Sequence, residues 1–394
     1  MKQILRILFL LIICINVSAQ RYLDLKTVSS SLKKSYQKSL ILYQSNQFAK
    51  AQKSIEKILK KEPRFIEANL ILASIHFDEK NYDEAEKYFE KVLVLNHEYS
   101  PKVYYTLAIT NYNNRHYNLA SKNINEFLIR EKSNEELLSR ARTKRITYQF
   151  ADSATQHPVT FHPTAVQGIN SDYSEYLPSL TADGRTMVFT RKILNDNEDL
   201  FISYKSDDGQ WSEPESITEI NTFLNEGAPA ISPDGNTLVF ASCDRRESFG
   251  GCDLYISHKV NNKWTTSSNL SDKVNTTAYE SQPCFADNGN ILLFCSNRVG
   301  GYGGKDIWMT VKNKSNGWIK PFNLGSEINT ILNEECPFMH QDGKTLYFSS
   351  DGHPGMGGKD IFYSRLIKNY IWSPCMNIGY PLNSPLDESS FVAY

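Results

Sequence analysis

The 394-residue chain lacks an excess of charge of either sign. Its 43 Lys and Arg stand against 44 Asp and Glu, a formal net charge of -1. That balance gives no reason to expect nucleic acid or an anionic membrane as partner. Cys-x-x-Cys pairs are missing, so the seven cysteines do not read as a zinc site. The eight histidines, at 76, 97, 116, 157, 162, 258, 340 and 353, do not cluster and form no His-Glu-x-x-His. A Gly-x-Ser-x-Gly nucleophile elbow is missing too. The sequence therefore asks for no catalysis, no metal and no cofactor. Beyond the first twenty residues there is also no apolar run long enough to span a bilayer.

What is present begins at the N-terminus. Lys2 and Arg6 lead into an apolar run from Ile7 to Val17, closed by Val17-Ser18-Ala19. This pattern reads as a secretory signal peptide over residues 1–19, with the mature chain starting near Gln20. An uncleaved anchor is the alternative, but a core of about eleven residues is short for ~30 Å of hydrocarbon. Lipidation at Cys14 would want a small residue where Ile13 stands. An exported chain meets an oxidising compartment in which disulfides persist.

Two internal repeats set the architecture. The first has a spacing of 34 or 35 residues: Phe48-Ala49-Lys50-Ala51 returns as Tyr82-Asp83-Glu84-Ala85 and as Tyr117-Asn118-Leu119-Ala120. An apolar residue follows each Ala by four, at Ile55, Phe89 and Ile124, and Leu72-Ala73 returns as Leu107-Ala108. Small residues at fixed places let paired helices approach, and the large ones fill the space between them. These residues resemble the tetratricopeptide (TPR) family over 32–150. The resemblance implies three helix-turn-helix units and a capping helix near Glu135–Phe150, after a lead-in at 20–31. Three units is about the minimum for a stable array.

After a linker at 151–164 the pattern changes to strands. Asn170, Asn221, Asn275, Asn329 and Asn383 each precede by five a Glu, at 175, 226, 280, 334 and 388, spaced 51, 54, 54 and 54. Each unit then shows an Asp-Gly or Asn-Gly turn, a run such as Leu238-Val239-Phe240, an Asp opening a third strand, and a closing Trp at 211, 264, 318 or 372. Four short strands in ~54 residues is the size of one propeller blade. The motifs resemble TolB-like, WD-type repeats, with Ser232-Pro233-Asp234-Gly235 the nearest match. The fold class expected is an α-solenoid followed by a β-propeller over 165–394, with four complete blades and the start of a fifth.

The two ends of the propeller share a phase. Val159–Ile169 matches an outer strand and 380–394 an inner one, so a shared blade would lack its two middle strands. An unpaired inner strand leaves an open edge. The expectation is a sequence incomplete at its C-terminus; a partly open four-blade protein is the alternative.

Other repeated residues have both a chemical and a structural reading. The loops Gly300–Asp306 and Gly355–Asp360 imitate a phosphate loop, but spacing, an Asp in place of Ser or Thr, and a following strand oppose it. They also miss the spacing of calcium-binding glycine repeats. Glycines supplying positive φ in a hairpin that Asp anchors is the reading adopted. The repeated Glu could ring the channel; a hydrogen bond from each to the neighbouring blade is preferred. Each Trp is expected to plug the space between sheets, with its N–H partnered. Cys243 with Cys252, and Cys284 with Cys295, flank hairpins as candidate cross-strand disulfides or free thiols. Cys336 and Cys375 are expected to stay unpaired.

The order of signal peptide, TPR units and propeller resembles envelope proteins of Bacteroidota with a PorE-like, OmpA-family architecture. That resemblance implies a non-enzymatic scaffold of the periplasm, associated with the outer membrane and linked to type IX secretion or gliding. It implies envelope proteins as partners, through the TPR groove and a propeller face. Peptidoglycan binding would need an OmpA-like domain, which these residues do not include. A glycan- or cation-binding sensor is the alternative, and an enzyme the third class.

Overall fold

The computed structural model describes residues 22–193, 197–313, 315, 317–368 and 370–393. The signal peptide expected at 1–19 lies outside the described residues. The chain divides into two compact units, Met1–Asp152 and Ser153–Tyr394.

Among the described residues, seven helices build the N-terminal part: α1 (Ser30–Gln44), α2 (Phe48–Lys61), α3 (Ile66–Asp78), α4 (Tyr82–Leu95), α5 (Pro101–Asn113), α6 (Tyr117–Arg130) and α7 (Glu135–Gln156). The repeated residues form the packing. Ala51, Ala85 and Ala120 are fully buried, and Ile55, Phe89 and Ile124 lie beside them in the core. The lead-in is tied to the array by the Leu23 N–H on the Arg64 carbonyl (3.0 Å) and the Ile66 N–H on the Leu23 carbonyl (2.9 Å). Helix α7 runs past the expected start of the linker to Gln156, because Tyr148 and Ala151 remain on its buried face; Pro158 follows shortly after its end.

The turns within helix pairs share one device. Asn46, Lys80 and Arg115 adopt φ of 58°, 60° and 62°. The next amide reaches back to the last turn, as in Asn81 N–H to the His76 carbonyl (2.8 Å) and His116 N–H to the Asn111 carbonyl (2.8 Å). This is a Schellman closure, which favours glycine at the left-handed residue. Lys and Arg bear a steric cost there.

The second unit is a four-blade β-propeller. The first sheet holds β1 (Ser174–Leu180), β2 (Thr186–Lys192), β3 (Glu198–Tyr204) and β4 (Glu215–Ser216). The second holds β5 (Glu226–Ile231), β6 (Thr237–Cys243), β7 (Cys252–Val260), β8 (Lys263–Trp264) and β9 (Ser268–Asn269). The third holds β10 (Glu280–Ala286), β11 (Ile291–Ser296), β12 (Asp306–Val311) and β13 (Phe322–Asn323). The fourth holds β14 (Glu334–Met339), β15 (Thr345–Ser350), β16 (Asp360–Lys368), β17 (Ile371–Trp372) and β18 (Met376–Asn377). The strand pairings within each sheet are antiparallel, and the inner strands of the four sheets surround one axial cavity. Apolar layers join neighbours: Val188, Leu200 and Ile202 of the first sheet meet Phe240, Tyr255 and Trp264 of the second. Leu293, Ile307 and Met309 of the third meet Phe348, Phe362 and Trp372 of the fourth. No helix of the described residues is long and apolar enough to cross a membrane.

Lys80→Gly and Arg115→Gly are expected to stabilise the helical array by about 1 kcal/mol each, through relief of the left-handed strain. Chemical denaturation followed by far-UV circular dichroism measures this; a lower midpoint for both variants would contradict it.

Candidate functional site

Each blade begins with a corner in which Asn and Glu have separate tasks. The Asn side chain binds the third strand of the preceding blade at both polar atoms. Asn275 Oδ1 accepts from Leu254 N–H (2.9 Å) and its Nδ2 donates to the Leu254 carbonyl (3.0 Å). Asn221 does the same with Leu200, Asn329 with Ile307 and Asn383 with Ile361. The Glu carboxylate instead works within its own corner. Glu280 accepts from Thr276 N–H (2.8 Å), Thr276 Oγ1 (2.7 Å) and Ser296 Oγ (2.8 Å). Glu226, Glu280 and Glu334 are fully buried and do not line the channel. This corrects the expectation for the Glu set: the inter-blade side-chain bond belongs to Asn, because an amide both donates and accepts whereas a carboxylate only accepts.

A basic residue that the sequence reading missed completes the corner. Arg298 lies 3.0 Å from Glu280, donates to the Val274 carbonyl (2.7 Å), and stacks on Phe294 and Trp308 at 4.8 and 5.2 Å. Arg245 pairs with Glu226 (2.9 Å) over Phe240 and Tyr255. Arg191 pairs with Glu175 (2.8 Å) over Phe189 and Phe201. In the fourth blade His353 takes the position, with Nε2 2.9 Å from the Ile328 carbonyl and its ring against Phe348 and Phe362. Burial raises the pKa of Glu334 there, against the pull of its Ser350 and Thr330 donors.

The Gly-rich hairpins fold around the Asp that follows them. Asp253 accepts from Phe249 N–H (2.8 Å), Gly250 N–H (3.0 Å) and Asn269 Nδ2 (2.7 Å). Asp306 accepts from Tyr302 N–H and from Asn323 Nδ2 (2.7 Å). A Cβ on Gly301 would sit 2.4 Å from the Asp306 carboxylate, and one on Gly303 would sit 2.3 Å from the Ile331 carbonyl carbon. Glycine is there for close approach. Asp360 accepts from Gly357 N–H (3.3 Å), and its other oxygen is buried without a hydrogen-bond partner. Burial raises its pKa to about 7.

The tryptophans plug between sheets at Trp264, Trp318 and Trp372, while Trp211 packs with residues of its own blade and Ile169. The indole N–H of Trp372 is buried with no partner, contrary to the expectation that each would find one. Cys243 and Cys252 stand opposite each other on β6 and β7 and are disulfide-bonded. Cys284 and Cys295 are free, which corrects the pairing considered for them. A bulge between Ser281 and Cys284 shifts the register, setting Cys284 opposite Leu293 and Cys295 opposite Ser281. Cys336 and Cys375 are free as well. Burial pushes the Cys284 thiol up to about 11 and those of Cys336 and Cys375 up to about 12, away from thiolate chemistry.

Two concave surfaces among the described residues suit partners. The axial cavity, about 420 Å³, is lined by Leu177-Pro178, Ala228-Pro229, Gln282-Pro283 and Cys336-Pro337, with Ser390-Phe391 at the fifth equivalent place. Each residue before proline has φ of 50–53° and sits in a bulge. Proline offers no N–H and the bulge bends the strand, so inner edges facing the axis do not pair with one another. Thr181, Asn288, His340 and Asp342 give the cavity a polar rim. In the helical unit a pocket of about 320 Å³ lies between α5 and α7, lined by Lys102, Tyr105, Thr106, Asn134, Glu136, Leu137 and Arg140.

Two outcomes follow. Arg298→Met leaves Glu280 buried without its counter-charge and is expected to cost about 3–5 kcal/mol in urea unfolding, with Glu280→Gln added to it restoring part of the loss. A loss under 1 kcal/mol for the single variant would show the corner to be incidental. Asp360 binds its proton more tightly folded than unfolded, so its contribution to stability falls as pH rises from about 4 toward about 7. Asp360→Asn should therefore melt higher than the parent by a margin that grows over that window, read by thermal scans at each pH; a margin independent of pH would refute the assignment.

Residues 42–114 match the tetratricopeptide repeat family model. No curated protein matches the chain. Among solved structures, TolB from Acinetobacter baumannii is similar at 15% identity and a TM-score of 0.38, covering 54% of this chain and 45% of its own. The chain thus spans under half the length of that protein. A putative TolB from Agrobacterium tumefaciens is similar at 12% identity and a TM-score of 0.30, covering 55% and 86%. PcrH from Pseudomonas aeruginosa is similar at 15% identity and a TM-score of 0.29, covering 31% of this chain and 95% of its own.

Proposed function

We propose that the protein is a non-enzymatic docking scaffold of the bacterial cell envelope, exported by its N-terminal signal and placed in the periplasm at the outer membrane. The observation that carries this reading is the use made of the repeated polar residues. The corner Asn residues from Asn221 onward bind the third strand of the preceding blade, the corner Glu residues hold their own corners, and Asp253 and Asp306 hold their own hairpins. The surfaces left over are concave and bounded by regular structure. A partner binding them meets groups already ordered, so less entropy opposes association.

The helical pocket supplies the first docking point. Tyr105 and Leu137 offer apolar surface and Lys102 adds positive charge, while Arg140 is paired with Glu136 of the same lining (2.7 Å). This suits an aromatic or acidic peptide segment of an envelope protein. The propeller supplies the second point. The order of signal peptide, TPR units and propeller resembles envelope proteins of Bacteroidota, and on that resemblance we propose a place with the type IX secretion or gliding apparatus. The axial cavity favours a second reading, a small glycan or cation sensed on the axis; a ligand-induced rise in melting temperature that Asp342→Ala removes would support it over the scaffold.

Deletion of residues 20–150, or Tyr105→Asp with Lys102→Glu in the full chain, should abolish capture of envelope partners while the propeller keeps its own unfolding transition. The measurement is crosslinking and pull-down from an envelope fraction. Undiminished capture by both variants would remove the helical array from the docking role.

A further inference from the structure

The two ends of the propeller present different chemistry. At one end lie the turns between first and second strands, which place Asp183, Asp234, Asn288 and Asp342 in solvent. The exposed turns Asp207-Asp208-Gly209 and Asn261-Asn262, between third and fourth strands, lie there too. The opposite end holds the blade corners and the hairpins between second and third strands, since Glu280 stands opposite Ser296 and Ser296 opposite Asp306. Its loop tips are apolar. Phe223 and Ile331 expose 90% and 82% of their surface, and Val299 is fully exposed. Phe249, Tyr302 and Leu332 add three half-exposed side chains. At the acidic end the exposed apolar residues Val260, Ile367 and Ile371 belong to strands β7, β16 and β17 and do not stand on turns.

The joints that close the corners also hold these tips outward. Thr222 gives its N–H and Oγ1 to Glu226 (2.8 and 2.9 Å) and accepts from Leu224 N–H (3.0 Å), which leaves Phe223 at the apex. Thr330 does the same with Glu334 and Leu332, which leaves Ile331 at the apex. Gly304 N–H binds the Leu332 carbonyl (2.7 Å), so the hairpin carrying Tyr302 abuts the corner carrying Ile331. These backbone groups beside the tips are already bonded, which lowers the cost of taking them out of water. Charges of both signs flank the tips. Lys305 and Lys359 directly follow the hairpin glycines, share the one carboxylate of buried Glu335, and leave a positive surplus. Asp244, Arg246 and Glu247, exposed on the hairpin of the second blade, leave a negative one.

We infer that this end of the propeller docks on the surface of a zwitterionic phospholipid bilayer, its apolar loop tips entering the boundary between headgroups and acyl chains. Apolar side chains gathered at one end of a water-exposed domain mark a contact surface. A protein partner fits a continuous, closely packed face. These tips instead stand on separate loops of three blades, a spacing that a fluid interface accommodates. Insertion at this depth takes its strength from buried apolar area, and the ring and hydroxyl of Tyr302 suit the headgroup level. The flanking charges match a headgroup that carries both signs: the lysine pair meets phosphate and the acidic hairpin meets the amine. The near-zero charge of the chain gives no attraction to anionic lipid, and insertion of this kind needs none. The inference rests on the reading of an exported protein held at a membrane and adds how it is held, with the acidic turns of the other end left in water.

The test uses the chain from Gln20 onward, without the apolar run of the signal peptide, and vesicles of phosphatidylcholine and phosphatidylethanolamine. Cosedimentation should show saturable binding that high salt leaves in place. Phe223→Asp with Ile331→Asp should weaken it at least tenfold, while the melting temperature stays within a degree or two of the parent because both side chains are exposed. Val260→Asp with Ile371→Asp, at the acidic end, should change it less than twofold. No binding at saturating lipid, or equal losses from the two pairs, would overturn the proposal. Binding that needs anionic lipid and vanishes in high salt would do the same. So would self-association without lipid that the Phe223 and Ile331 changes abolish, which assigns the face to a second copy. Vesicle binding is read with no protein partner present, so capture lost through the Tyr105 and Lys102 changes leaves it untouched and the two readings fail separately.

Discussion

A carboxylate taken out of water must be met by donors, or it destabilises whatever buries it. This propeller sets that condition at the start of each blade and meets it with the same groups each time. A Thr or Ser supplies a backbone amide and a hydroxyl, and in the complete blades after the first a Ser on the second strand adds another hydroxyl. An Arg, or in one blade His353, covers the corner from a bed of two rings. The Asn five residues earlier fastens the same corner to the preceding blade. Blade order and spacing thus depend on a polar joint, while the apolar layers between sheets supply the bulk of the burial. Truncating one member leaves the others buried and unpaired, so these joints are sites of strong coupling rather than independent contacts.

Most of this joint was legible in the sequence, and its limits are instructive. Asn and Glu hold fixed positions because both act on backbone within one corner, so a constant spacing of five follows. The basic partner does not. Arg191 stands at the second-strand position opposite its own Glu, whereas Arg245, Arg298 and His353 lie 3, 2 and 3 residues beyond that position at Ser242, Ser296 and Ser350. A long flexible side chain reaches the same place from different roots, which erases the register a sequence search looks for. The aromatic pairs beneath it were visible only as β-rich runs. The prolines at 178, 229, 283 and 337 were equally regular, but their meaning depends on a bulge that only the structure reveals.

The cysteines show the same limit from the other side. Counting along a simple hairpin places Cys284 and Cys295 as near-symmetric about their turn, much like Cys243 and Cys252. The second pair is joined because β6 and β7 run in unbroken register. The first is separated because β10 carries the inner-strand bulge that every blade uses to keep its edge off the axis. A feature required by the architecture as a whole thus decides a local pairing. The helical unit contained no comparable surprise, since its small and large residues repeat in the helical period and act within each pair of neighbours.

Function depends on where polar groups are left free to act. In the propeller, repetition drives side chains of one kind into one structural job, and the carboxylates best placed to do chemistry are already bonded to amides, hydroxyls and guanidinium groups. Function then moves to positions where the blades differ. The third-strand approach carries Lys305 and Lys359 in the third and fourth blades, both bonded to the buried Glu335, whereas the first two blades have Glu198 and Cys252 there. A partner that recognises this protein through its propeller gains selectivity from such departures, because the repeated parts are alike in every blade and already occupied in holding the ring.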